Sequence, residues 1–145
     1  MKKFFLCFGI VAILALVFVS CKKESGDEEE DEDCEISVAS IAGRYKLVSS
    51  KFLTGGGETD AISTLYEACE LDDINELKAD KTFTYTDGGT VCSPNGTTSG
   101  TWDVMGNTLK LNGGFSNIES FNCKNLVVTF RDENNNLVKE TYVRQ

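Results

Sequence analysis

Histidine is absent from the 145 residues. Without an imidazole there is no Ser-His-Asp or Cys-His nucleophile, and no side chain whose ordinary titration lies near neutral pH. Carboxylates, cysteines and glycine clusters remain. Asp72-Asp73 beside Glu76 has the composition of a glycosidase-type acid/base pair. Neighbours on a strand point to opposite faces, so these two carboxylates cannot converge on one substrate atom. Asp132-Glu133-Asn134-Asn135-Asn136 sets side-chain oxygens as the start of a calcium loop does, but Leu137 stands where that loop needs Gly and the closing bidentate Glu is missing. A hairpin loop is the reading. Gly55-Gly56-Gly57 has no following Lys, which excludes a phosphate cradle. The formal charge of -9 excludes nucleic-acid binding through a basic surface. No catalytic residue, no metal and no cofactor is expected, and the chain does not read as an enzyme.

The cysteines are the exception, and Cys21 leads. Met1-Lys2-Lys3 is basic, residues 4–19 carry no charge, and Phe18-Val19-Ser20-Cys21 precedes Lys22-Lys23. Sixteen apolar residues are short for a bilayer-spanning helix. Basic, apolar and small-residue regions in that order read as an export signal. The junction resembles the lipobox of bacterial lipoproteins. That resemblance implies a signal peptide at residues 1–20, diacylglycerol transfer to the Cys21 sulfur, cleavage after Ser20 and acylation of the new amino terminus. Several acyl chains, at about 0.8 kcal/mol per buried methylene, hold a domain stably on a membrane.

Residues 21–35 follow as a tether. From Lys22 to Glu35 there are two basic and nine acidic residues, whereas residues 36–145 hold 10 basic and 14 acidic residues, only -4. The run from Asp27 to Asp33 repels itself and buries nothing, so an extended, disordered spacer is expected. It also resembles the acidic tag that sends some Gram-negative lipoproteins to the outer face of the outer membrane. The implied location is the cell outer membrane, lipid-anchored and surface-exposed.

From residue 36 the pattern becomes short alternating segments divided by turn residues. Strands are expected at 41–48, 73–78, 82–86, 97–104, 108–111, 118–124, 126–131 and 137–144. Thr54-Gly55-Gly56-Gly57-Glu58 reads as a flexible loop. Ile62, Leu65, Tyr66 and Cys69 share one helical face, so residues 60–70 are expected as a short amphipathic helix. Eight sequential strands with short connections favour a meander closed into a barrel, which removes the sheet edges. A two-sheet sandwich is the alternative.

Gly43-Arg44-Tyr45-Lys46-Leu47-Val48-Ser49 resembles the "G-x-W/Y-x-L" opening of lipocalin-like domains. Cys69-Glu70-Leu71-Asp72-Asp73-Ile74, Asp80-Lys81-Thr82-Phe83, Cys92 and Gly100-Thr101-Trp102 resemble the small lipocalin-like domain of Gram-negative lipoproteins. Tyr45 stands where lipocalins often carry Trp, and Lys81 stands where Gly is common. The resemblance implies an all-β fold, an eight-stranded up-and-down barrel with a central cavity, with a short helix or loop between its first two strands.

With Cys7 lost in the signal and Cys21 lipidated, Cys34, Cys69, Cys92 and Cys123 remain. An even count in an exported domain reads as two disulfides with three possible connectivities. No CxxC pair favours zinc. Cys69–Cys92 is expected because the two flank the adjacent strands at 73–78 and 82–86, leaving Cys34–Cys123 to pin the tether to the barrel. Alternation turns Ile41, Tyr45, Leu47, Phe83, Tyr85, Trp102, Val104, Leu109, Leu111, Leu126, Val128 and Phe130 inward. From these, Tyr45, Phe83, Tyr85, Trp102, Leu111 and Phe130 are the candidate cavity lining. No basic residue falls on this inward set, so a small neutral apolar ligand is expected. The alternative is a barrel filled by its own side chains whose loops bind a surface protein or glycan.

Overall fold

The computed structural model describes residues 34–145. The expected signal peptide, Cys21 and the expected tether through residue 33 lie outside the described residues. The described strands are β1 (Gly43–Thr54), β2 (Gly57–Asp60), β3 (Ile74–Leu77), β4 (Thr82–Thr86), β5 (Thr98–Met105), β6 (Thr108–Leu111), β7 (Gly114–Phe121), β8 (Asn125–Arg131) and β9 (Leu137–Arg144). They form one antiparallel sheet in the order β2-β1-β3-β4-β5-β6-β7-β8-β9, and β1 also pairs with β9. That last pairing closes a ring of eight strands. β2 stays outside the ring as a hairpin on β1, so the expected flexible loop is partly strand.

Why β1 serves three partners is a matter of length. Its first residues pair with β3, from Gly43↔Leu77 to Tyr45↔Asn75. Beyond them β3 has ended, and β2 takes the vacated edge, from Lys51↔Asp60 to Thr54↔Gly57. A bulge lies between Leu47 and Ser49 in the β1–β9 ladder. The extra residue reverses the alternation, so Tyr45 and Leu47 are buried before it, Ser50 after it, and Val48 is exposed. A second bulge interrupts β7 between Ile118 and Ser120. It shifts the inward residues from Ile118 to Phe121, and β7 begins at Gly114 rather than at the expected residue 118.

One end of the barrel is packed shut. A single-turn helix α1 (Val38–Ile41), capped reciprocally by Ser37 and Ser40, delivers Ile41 with no exposed surface. Ile41 joins one buried apolar cluster with Tyr45, Leu77, Phe83, Trp102, Ile118, Phe121 and Leu126, which continues to Leu109 and Val128. The polar atoms there are satisfied except Arg144 Nε, which is buried without a hydrogen-bond partner. Trp102 Nε1 donates to the Lys78 carbonyl at 2.8 Å, and Tyr45 OH donates to the Ile41 carbonyl at 2.7 Å. Arg144 Nη2 donates to Tyr45 OH at 2.7 Å and to the Ser40 carbonyl, while its guanidinium carbon lies 5.3 Å and 5.5 Å from the Tyr45 and Phe121 ring centroids. The β3–β4 turn is at this end too. Lys81 holds φ +68 in it, the left-handed region that glycine occupies at least cost.

The segment between β2 and β3 shapes the other end. Ala61 is fully buried and its N–H donates to the Ser50 carbonyl. The expected helix over residues 60–70 is two fragments, α2 (Ile62–Leu65) and a 3-10 turn over Ala68–Glu70. Tyr66 between them is extended. A continuous helix is overruled because Tyr66 and Cys69 are each held elsewhere: Tyr66 OH bonds to Glu140 on β9, and Cys69 is disulfide-bonded to Cys92 in the β4–β5 loop. The segment therefore crosses from the β1–β9 side of the rim to the β4–β5 side. A second disulfide joins Cys34 to Cys123 at the packed end, where the Cys34 N–H also donates to the Phe121 carbonyl. Both disulfides, the closed ring and its core lie within residues 34–145.

Candidate functional site

Above the packed floor the barrel is not filled. A cavity of about 390 Å³ is bounded by Leu77, Leu109, Leu111, Leu126, Val128 and Phe130, by the rings of Tyr45, Tyr66 and Tyr142, and by Asn75, Ser116 and Glu140. Phe115, which is 61% exposed, and Arg131 also border it, and both come from strand ends at the open rim. The volume lies at the small end of the 300–1,000 Å³ typical of small-molecule pockets, and a mostly apolar wall with few polar groups is the usual composition of such sites.

Of the six expected lining residues, Tyr45, Leu111 and Phe130 border this cavity. Phe83 and Trp102 do not; both are almost wholly buried in the floor. Both turn inward, but alternation gives the face of a strand and not the height along the barrel. Tyr85 borders a separate cleft of about 180 Å³ with Glu67, Glu70, Asp73 and Cys92. Its hydroxyl donates to Asp73 Oδ2, and burial together with that carboxylate raises the phenol pKa.

Of the carboxylates weighed for chemistry, Asp72, Asp73 and Asp132 hold loops in place, as does Asp87. Asp73 accepts from Tyr85 OH and from the Gly88 N–H at 2.9 Å, and Asp72 accepts from the Thr90 N–H at 2.9 Å. Asp87 accepts from the N–H groups of Cys92 and Gly96. Asp132 takes the N–H groups of Asn134 and Asn136, so the calcium-like run folds on itself as a hairpin loop. Glu67, Cys69 and Cys92 lie close enough to suggest metal ligation, but both sulfurs are spent in the disulfide.

One feature of the cavity was missed. Glu140 projects inward from β9 and is 2% exposed. Its Oε1 accepts from Tyr66 OH and from Ser50 Oγ at 3.3 Å, and its Oε2 accepts from Tyr142 OH at 2.6 Å. Burial first, then the Glu140 charge, raises the pKa of both tyrosines well above the ordinary phenol value, so both stay neutral donors. The same face of β9 carries Arg144. The inward set therefore does contain a basic residue, at the floor, where Arg144 is engaged by Tyr45 and backbone carbonyls. Alternation along residues 137–144 carried the signal, but ambiguously. Leu137, Lys139, Thr141 and Val143 make as plausible an inner face as Val138, Glu140, Tyr142 and Arg144.

A closed antiparallel barrel, sealed at one end and hollow toward the other, defines the class: a β-barrel with an internal small-molecule-sized cavity. The sequence model of the lipocalin-like domain matches residues 41–129, more than half of the chain, and the protein belongs to the lipocalin-like domain family. Domains of this family are generally binding proteins. No curated protein and no solved structure matches the chain significantly. Glu140 and Tyr142 lie beyond the matched residues.

Proposed function

We propose that this protein is a lipid-anchored extracytoplasmic binding protein whose barrel holds one small, largely apolar ligand. The observation that carries the reading is the cavity of about 390 Å³ inside the ring. A barrel filled by its own side chains, binding partners only through loops, is less well supported, because only the floor is packed. The anchor rests on the lipobox-like Phe18-Val19-Ser20-Cys21 and the acidic run behind it. It is compatible with the domain, since the chain enters at Cys34 on the packed end, opposite the open rim.

The test uses the chain from Lys22 onward, free of signal and lipid. A panel of small, largely apolar molecules, neutral and charged, is titrated by calorimetry against this protein and a Leu111→Trp variant, which fills the cavity from its wall. Saturable one-to-one binding by the first, lost in the second, is expected. Absence of saturable binding across the panel, or equal binding by both proteins, contradicts the reading.

A further inference from the structure

We propose that the ligand of this cavity is a small organic cation, an apolar body carrying an ammonium group, and that Glu140 is the residue that receives the ammonium. The inference rests on the cavity-binding reading and deepens it.

Glu140 is the starting point. A carboxylate at 2% exposure has lost its hydration, and burying an uncompensated charge is expensive. The protein supplies three hydroxyl donors, from Ser50, Tyr66 and Tyr142, but no counter-charge. Glu140 makes no ion pair with another described residue. Arg131, the cation bordering the cavity, directs Nη1 to the Asn135 carbonyl, and Arg144 is held at the floor.

The hydroxyls leave room for one more donor. A carboxylate offers about four acceptor positions. Two hydroxyls meet Oε1 and one meets Oε2, so Oε2 keeps a free acceptor position, on a side chain that borders the cavity. An ammonium N–H placed there makes a charge-assisted hydrogen bond and neutralises the buried charge at once. The rings of Tyr45, Tyr66 and Tyr142 border the same space, and aromatic faces attract cations. An anionic ligand would be repelled by Glu140, and Arg131 at the rim already directs Nη1 to the Asn135 carbonyl. A neutral one would leave the buried charge uncompensated.

The test compares three probes of one shape, 4-phenylbutylamine, 4-phenylbutanol and 4-phenylbutyrate, by calorimetry on the chain from Lys22 onward at neutral pH. The amine is expected to bind at least about tenfold more tightly than the alcohol, as a charge-assisted bond in a buried site implies, with the acid weakest. Glu140→Gln should reduce the amine to the affinity of the alcohol, while Tyr66→Phe, which keeps the carboxylate, should retain the preference. If Glu140→Gln does not fold, the wild-type ranking decides alone. Saturable binding without amine preference, or a preference that survives Glu140→Gln, overturns the cation assignment and leaves the cavity reading standing. Failure of all three probes to bind overturns both.

Discussion

Glu140 and Arg144 lie four residues apart on the inner face of β9, and their surroundings give them different work. Arg144 is consumed by the fold. Its Nη2 serves the Ser40 and Ala42 carbonyls and Tyr45 OH, and its plane lies by two aromatic rings. An ammonium on a flexible stem cannot reproduce that planar fork. Arg144→Lys is therefore expected to lower the unfolding free energy by about 1–3 kcal/mol, read as a lower urea midpoint with unchanged slope. An unchanged midpoint would contradict the role given to the guanidinium. Glu140, by contrast, borders the cavity and keeps an acceptor position unfilled. The sequence disclosed neither charge as inward, because the two faces of residues 137–144 balance in apolar and charged content.

At the scale of elements, six of the eight expected strands fall close to their observed positions, since clean alternation between turn residues marks them. Of the other two, β7 is displaced by its bulge at Glu119, which reverses the period that would reveal it. β1 was cut short at Val48 for the same reason. β2 is hidden by the glycines that lead into it and by exposure of all four residues; such a strand has no apolar face to announce it. Its stability comes from outside. Glu58 on β2 pairs at 2.8 Å with both Lys51 on β1 and Lys139 on β9, and Lys139 also meets Glu119 on β7. The two lysines hold the Glu58 carboxyl down to about 2. A depressed native pKa gives stability that is present above the unfolded carboxylate value and lost as pH falls toward the native one. The stability gap between wild type and Glu58→Gln should thus be widest above about pH 5 and narrow toward pH 2, and added salt should shrink it, because exposed charges are screened. Urea midpoints across pH would show this; a gap independent of both pH and salt would contradict it.

For the whole molecule, membrane attachment and ligand binding are separable claims. If Cys21 is the lipid site, the mature protein isolated from its membrane should begin at Cys21, and its N-terminal peptide should carry the mass of a diacylglycerol and a further acyl chain. A mature chain beginning elsewhere, or an unmodified Cys21, would contradict the anchor while leaving the barrel untouched. The candidate site was half legible in the sequence. Tyr45, Leu111 and Phe130 came from alternation, whereas Tyr66 depended on a broken helix and a disulfide crossing the rim, which no local pattern encodes. The central claim, that a small molecule enters the barrel, is tested most directly by methyl NMR during titration of the chain from Lys22 onward with 4-phenylbutanol. The account predicts saturable shifts at Leu77, Leu109, Leu111, Leu126 and Val128, which border the cavity, with the exposed Val48 and Val91 unmoved. Saturable binding with shifts confined to surface methyls, or no shift at the five cavity residues, would contradict it.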